Sequence, residues 1–502
     1  MEDNSKAPRL VASTGNTYSC SIVDSRIRES ERREYNGVTT GEGLDPGLNS
    51  KEETLAKRGR GIRTEDDVEV NYFKSAQWTP DGTTLLTSSA DNAIRTFILP
   101  PDLLTDTSPP PLTSYTTHPF PTPINRLTPY PYFALSDPST TLYLSTPSSL
   151  PIRLLNALSP LTTPVATYNL ISPTTEAYYT PSSLLWSTQN SFLAGTDCLI
   201  ACFDVSRSGE GPATRMPTIP SKRHKMKGGG VGMRGIVSAL SQQPSPENAD
   251  AGMLAAGTWT RWVGLYDVGG MGGTVATWGI QEAADGEAGI GGTGVSETGW
   301  SACGRYLFVV ERKSRGLLVY DVRVTGRLVS WLVGREAETN QRLGVGLFEG
   351  EKGTEVWAGG TDGVVRVWEG VGMTEGAMER SWEWKAHDGM SEMNYEWASA
   401  NVAADPVSST AVHSSGTVVA TCSGQRSSPE LWSSNGSESE ESDSSDGERP
   451  EDDSERDSDS EQETDSEGSS GSGSSSRLSS TSSLSPEPVS RSPDNSIKVW
   501  SL

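Results

Sequence analysis

One pattern constrains this chain more than any other: a short run of aliphatic and β-branched residues, closed by an aromatic residue or Leu, occurs seven times. The runs are Ala93-Ile94-Arg95-Thr96-Phe97, Pro151-Ile152-Arg153-Leu154-Leu155, Leu199-Ile200-Ala201-Cys202-Phe203 and Trp262-Val263-Gly264-Leu265-Tyr266. They continue with Leu317-Leu318-Val319-Tyr320, Val364-Val365-Arg366-Val367-Trp368 and Ile497-Lys498-Val499-Trp500. Six residues before the closing position stands Asp91, Asp197, Asp362 or Asp494, and in the other three Ser149, Thr260 or Ser314. A short polar side chain there bonds nearby backbone and sets a tight hairpin turn. A second apolar run with its own turn precedes each, as in Trp78-Thr79-Pro80-Asp81-Gly82 ahead of Leu85 and Leu86. Each unit reads as several short strands, and one unit cannot cover both its faces. Stacking the units around an axis solves that problem, which predicts a β-propeller.

The closing residues lie roughly 50–60 positions apart, longer than the ~40–45 of tight propeller repeats, so loops must carry the excess. The last gap is more than twice as long. Its first part, Thr417-Val418-Val419-Ala420-Thr421-Cys422-Ser423-Gly424-Gln425-Arg426, is strand-like, and its partner comes only at Asp494–Leu502. What lies between is thus expected to be an insertion within one repeat. The last repeat is then one strand short, and Arg9-Leu10-Val11-Ala12-Ser13 is the candidate to close the ring, since an open propeller leaves strand edges bare.

Charge gives the insertion its character. The formal net charge of the 502 residues is −24, yet Ser437 to Ser490 alone holds 17 Asp/Glu against three Arg. From Glu438 to Glu467 the chain alternates Ser, Asp and Glu with almost no apolar residue, so it cannot offset its chain entropy and is expected to be disordered. Its Ser-x-x-Asp/Glu placements suit an acidophilic kinase, or it is a plain solvated spacer. Residues 24–66 (charged, Gly-containing) and 207–234 (Gly/Pro/basic) read as loops or arms. The acidic balance argues against a surface that coats nucleic acid or anionic membrane as a whole and leaves room for a local basic patch.

Other classes fall away. The start, Met1-Glu2-Asp3-Asn4-Ser5-Lys6, lacks a signal pattern, and no apolar run approaches the ~18 residues of a membrane helix. The five cysteines (20, 198, 202, 303, 422) are scattered and odd in number, which implies no disulfide framework and a soluble intracellular protein. Gly230-Val231-Gly232-Met233-Arg234-Gly235 fits G-x-G-x-x-G, but no strand precedes it, so it reads as an interblade linker and not a dinucleotide site. Cys198 and Cys202 are read as one face of a strand, with no second pair or His at zinc spacing. The histidines 118, 224, 387 and 413 sit in no nucleophile or metalloprotease context. The expectation is no catalysis, no cofactor, no metal and no small-molecule substrate.

Several segments resemble the WD-repeat family of the telomerase Cajal body protein and its fungal relatives. They are Asn71-Tyr72-Phe73-Lys74 leading into Gln77–Gly82, Ser89-Ala90-Asp91-Asn92, Leu99–Leu103, Gly334-Arg335-Glu336 with Thr339-Asn340-Gln341-Arg342, and Ala420–Arg426. They keep the family order over roughly residues 70–430 and are looser between about 104 and 230. The resemblance implies a nuclear propeller that binds a short loop motif in small Cajal-body guide RNAs or telomerase RNA and aids ribonucleoprotein localisation or assembly. A more distant yeast relative is associated with splicing. The chain departs from the animal pattern in its short charged N-terminal arm, its larger acidic run and its basic loop at 221–227.

The residue types agree with that chemistry. Arg335, Asn340, Gln341 and Arg342 fall between the fifth and sixth repeats, where loops cross a propeller face; Arg bonds phosphate or stacks, and Asn and Gln read base edges. They can equally satisfy loop backbone and pair with carboxylates. Gln425 and Arg426 form a second candidate pair, and Lys222, Arg223, Lys225 and Lys227 a basic cluster for phosphate attraction or nuclear import. Val319-Tyr320-Asp321-Val322-Arg323 resembles the WD-x-R ending of cullin-type ubiquitin-ligase receptors, which keeps a protein-only adaptor open beside a splicing-associated scaffold. The expected layout is all-β. A mostly disordered arm spans 1–67, with 9–13 as closing strand, and blades of a seven-bladed propeller span 68–435. A disordered acidic Ser-rich insertion covers 436–490 and a last strand 491–502. Its partners would be a small structured RNA and ribonucleoprotein proteins, with no membrane.

Overall fold

The computed structural model describes residues 7–21, 69–105, 109–220, 233–244, 252–268, 273–387, 405–424 and 494–502. The candidates Lys222, Arg223, Lys225, Lys227, Gln425 and Arg426, the acidic insertion and most of the N-terminal arm lie outside these residues. The described chain is all-β, with a single π-helical turn at Ala283–Glu287. It forms a seven-bladed propeller of antiparallel sheets.

The first blade shows the plan. Phe73–Trp78 is innermost, followed outward by Thr84–Ser89, Ala93–Ile98 and Thr116–Pro119. Blades 2 to 6 begin at their inner strands Ile124–Pro129, Ser183–Thr188, Val237–Gln242, Val295–Trp300 and Val345–Gly350. Blade 5 gains a fifth strand, Gly376–Met378, which lies parallel to Leu328–Val333. Blade 7 is made from both ends of the sequence. Val407–Val412, Val418–Ser423 and Ile497–Ser501 are its inner three strands, and Arg9–Ser13 pairs antiparallel with Ile497–Ser501 as the outermost.

The repeated runs are the third strand of each blade, and their closing residues supply the core. Phe97, Leu155, Phe203, Tyr266, Tyr320, Trp368 and Trp500 are all buried. Burying such a side chain contributes about 1.5–3 kcal/mol. The described apolar residues gather into seven clusters, one at each blade-to-blade interface, including the joint between blades 7 and 1 where Val11 and Ala12 meet Phe73 and Phe97. Inner-strand serines add polar ties between neighbours. Ser183 Oγ donates to Val237 O at 2.8 Å, and Ser408 Oγ donates to Phe73 O at 2.6 Å.

The turn residues act as their types suggest. Asp91 accepts from Ser89 Oγ and from Ala93 N and pairs with Arg95; Asp362 pairs with Arg366 in the same way. Asn92, Cys198, Arg261 and Gly363, each just after the turn-setting residue, have φ between 55° and 76°.

Two local expectations are corrected. Cys198 sits in this left-handed turn before Leu199–Asp204 and not on the strand, so it does not share a strand face with Cys202. Within 207–234, read as loop, Thr214–Pro217 is the outermost strand of blade 3, held by pairing with Leu199–Cys202 and by burial of Met216. One buried Met among polar residues left too weak an apolar alternation to mark a strand.

Candidate nucleic-acid interface

Strand direction decides which loops share an end of the ring. In each blade the inner strand leads, so second-to-third-strand turns and blade-to-blade connections fall together at one end. We call this the loop end. Residues 334–344, 405–406, 424 and 494–496 lie there, as do Asn71 and Tyr72. The four long stretches outside the described residues, 22–68, 221–232, 388–404 and 425–493, all leave and return at the loop end.

Four of the segments that carried the family resemblance, at Asn71–Lys74, Ser89–Asn92, Gly334–Arg342 and Ala420–Gly424, reach this end, whereas Gln77–Gly82 and Leu99–Leu103 run to the opposite one. Gln341 Nε2 donates to Gly424 O at 2.9 Å, which joins the 334–342 loop to the segment that leads into Gln425 and Arg426. Gly424 has φ +143°, and a Cβ there would lie 2.1 Å from Tyr72 Cβ. Asn71 accepts from Asp91 N through Oδ1 at 3.0 Å and donates through Nδ2 to Tyr18 O at 2.9 Å. Asn71, Gln341 and Gly424 therefore hold the mouth of the channel together.

The four candidates of the 334–342 loop separate by environment. Arg335 is buried and donates to Gly359 O and Leu343 O, both at 3.1 Å. Burial pushes its guanidinium down to about 10, with Glu297 opposing and Arg366 adding to the fall. It is a structural bolt. Asn340 is exposed, and its carbonyl accepts from Arg312 Nη1 at 2.6 Å. Gln341 is part-buried in its bond to Gly424. Arg342 turns inward and donates through Nη2 to Ser238 O of blade 4 at 2.8 Å.

Two residues that the sequence did not single out complete the site. Trp259, in the second-to-third-strand turn of blade 4, is 45% exposed, and the Arg312 guanidinium sits over its ring at 5.1 Å. Among the described residues, it is the exposed large apolar side chain of the loop end. A tract therefore runs Trp259–Arg312–Asn340–Gln341–Gly424 across blades 4 to 7. It offers an aromatic face, guanidinium charge and amide groups side by side, the chemistry that grips unpaired bases. Exposed Trp ahead of Thr-Arg is a weak sequence signal, because a Trp in a repeat reads first as core.

Beneath the tract, the channel contains a cavity of about 360 Å³. Its lining includes Lys74, Arg126, Glu297 and Arg342. Arg126, on the inner strand of blade 2, donates through Nε to Ser182 O at 3.2 Å and through Nη2 to Ser296 O of blade 5 at 3.4 Å. Glu297 accepts from Val345 N at 3.3 Å. Nothing in Ile124-Asn125-Arg126-Leu127 distinguishes a channel arginine from a solvated one. Among the described residues, no group of three or more His, Cys, Asp or Glu could hold a metal ion, and no helix is long and apolar enough to cross a membrane.

No family model matches the chain. It is similar to the guanine nucleotide-binding protein negative regulator 1 of Schizosaccharomyces pombe, 27% identical over 311 residues that cover 61% of this chain and 72% of that protein. It is similar to telomerase Cajal body protein 1 of Homo sapiens, 28% identical over 382 residues that cover 74% of this chain and 60% of the relative. The Mus musculus protein of that name is 28% identical over 310 residues, 60% of this chain and 51% of its own length. The chain thus spans little more than half of these mammalian relatives.

Proposed function

We propose that this propeller, similar in sequence to telomerase Cajal body protein 1, is a non-catalytic nuclear scaffold that binds a small structured RNA and aids ribonucleoprotein assembly or localisation. The carrying observation is the Trp259–Arg312–Asn340–Gln341–Gly424 tract, where two of the segments that carry the resemblance, 334–342 and 420–424, meet beside an exposed aromatic ring. Unpaired bases would stack on Trp259 and meet the Asn340 amide, while phosphates would meet arginine. Gln425, Arg426 and the Lys222–Lys227 cluster would extend the contact, since both belong to stretches rooted at the loop end. The RNA class favoured is a Cajal-body-type guide RNA or telomerase RNA. Crosslinking and sequencing of RNA from the tagged protein tests this, with enrichment of one small nuclear RNA class expected. A library without such enrichment counts against it.

A protein-only adaptor is the second reading. Arg323 is exposed at the end opposite the loop end and is held by Asp321, with Nη2 at 2.7 Å from the carboxylate. That presents an arginine in a fixed pose for a ligase adaptor. Arg323→Ala should then abolish copurification of such an adaptor; unchanged copurification removes this reading. Splicing-associated scaffolding stays within the first reading and differs only in the RNA recovered.

A further inference from the structure

The channel cavity holds a second recognition chemistry that does not depend on the RNA reading. Arg126 and Arg342 reach across the channel to carbonyls of other blades, Arg126 to Ser182 and Ser296 and Arg342 to Ser238. Arg312 stands behind them, bonded to Asn340 O. Facing them, the carboxylate that lines the cavity is Glu297, one negative charge against two lining guanidinia, with Lys74 also in the wall. The Arg342 Nε atom is shielded from solvent and has no hydrogen-bond partner among the described residues.

Guanidinium groups do not give up their proton in proteins, so unmatched charge must be tolerated or neutralised. Burial and the charges of Arg126 and Arg312 press Arg342 well below its ordinary value, with Glu297 opposing. Arg126 is pushed down by burial and by Arg312, again against Glu297. The cluster is thus held at a cost that an entering anion relieves.

We propose that the channel cavity is a phosphate site, in which the guanidinium groups of Arg342 and Arg126, fixed by their carbonyl bonds, hold a tetrahedral oxyanion between them. Arg342 Nη2 and the Arg126 Nε and Nη2 are taken by carbonyls, so the Nη1 group of each guanidinium is the donor left for the oxyanion. The carbonyl bonds fix its direction, which a lysine ammonium would not reproduce. The cavity, about 360 Å³, sits at the small end of the range of ligand pockets, about 300–1,000 Å³. That volume suits a phosphoryl group, supplied either by a free phosphate compound or by the phosphorylated end of an RNA strand.

The test is calorimetric titration of the full chain with inorganic phosphate and pyrophosphate, at an ionic strength held constant with chloride. One saturable site per chain is expected. Glu297→Gln removes the opposing charge and should tighten phosphate about tenfold, whereas Arg126→Met and Arg342→Met should weaken it about tenfold or more. A merely structural cluster predicts no gain from Glu297→Gln. Arg126→Lys and Arg342→Lys, which keep charge and lose the fork, should bind phosphate less well than wild type while remaining folded by circular dichroism. An oligoribonucleotide with a 5′-phosphate, set against the same strand with a 5′-hydroxyl, separates the two sources. A preference that phosphate competes away assigns an RNA end, and equal binding with saturable phosphate assigns a free phosphate compound. Absence of saturation beyond the chloride control, or a Glu297→Gln variant with unchanged affinity, overturns the proposal.

Discussion

His387 and Asp494, 107 residues apart in sequence, meet with imidazole Nδ1 3.2 Å from the carboxylate. The contact continues a relay: Trp500 Nε1 donates to Thr421 Oγ1, which lies 2.9 Å from His387 Nε2. With a proton on Nδ1, every member of the relay is satisfied. It clasps the blade on both sides of the acidic insertion, since Thr421 precedes that stretch and Asp494 follows it. His387→Ala or Asp494→Asn should each lower unfolding free energy by about 2 kcal/mol, measured by urea denaturation. The double variant should lose less than the sum, because both act on one network.

The same relay fixes a pH dependence. Burial pushes His387 below its ordinary value, with Asp494 opposing, and burial does the same to His118 against a backbone bond from Ser159. The unfolded chain therefore takes up protons near pH 6.5 that the folded chain refuses. Stability from these groups is complete above about 6.5 and declines as pH falls below it. Asp494 and Asp91 are held below the usual carboxylate range. For both, hydrogen bonds and charge, from His387 and from Arg95 respectively, outweigh a burial effect that acts the other way. Their contribution is present above about pH 4 and is lost below it. A two-limbed fall in melting temperature is expected between pH 7 and 3, and His387→Gln should flatten the upper limb and weaken the part of the lower limb that Asp494 carries, leaving the Asp91 part.

Gly424 tests the mouth of the channel. Its φ of +143° and the 2.1 Å approach to Tyr72 leave no room for a methyl group. Gly424→Ala should cost about 1–3 kcal/mol. It should also separate Gln341 from its acceptor, which RNA retention on the tagged protein would report as weaker capture.

Loop and core candidates should part company. Trp259→Ala and Asn340→Ala are expected to weaken RNA binding, by about 1–3 kcal/mol for the stacking residue, with the melting temperature unchanged. Arg335→Ala should do the reverse, because its donors serve Gly359 and Leu343 from a buried position. Filter binding and thermal unfolding on the same variants check both.

Deletion of residues 437–490 should leave thermal unfolding within a degree or two of the full chain. Such sequence offers little apolar surface, and shortening a long loop changes closure entropy only slightly. A large destabilisation would move the insertion boundary.

How much of this was readable depends on whether a residue acts locally. The third strands were legible because a Phe, Tyr or Trp must be buried and its turn needs Asp, Ser or Thr at a fixed offset; Phe97 and Asp91 carry their own evidence. The site was legible only in part. Arg335 and Arg342 look alike in a sequence, yet one bolts a loop and the other enters the channel. Arg126, Glu297 and Arg312 carry no local signal, since their meaning comes from which blades face each other across an axis. Thr214–Pro217 was missed for a related reason: an outermost strand takes its register from its neighbour, not from its own pattern.

The pairing of Arg9–Ser13 with Ile497–Ser501 sets an order on biosynthesis. Arg9–Ser13 must wait for Ile497–Ser501 to be synthesised, roughly half a minute to a minute and a half at ordinary elongation rates. Throughout that interval the apolar side of blade 1 that Val11, Val418 and Ile497 later cover together stays incomplete. The growing chain is therefore an unsealed ring until Ile497–Ser501 emerges, and a nascent-chain chaperone has its longest opportunity there. A premature stop even a few codons before Ile497 would remove the strand that joins Arg9–Ser13 to Val418–Ser423.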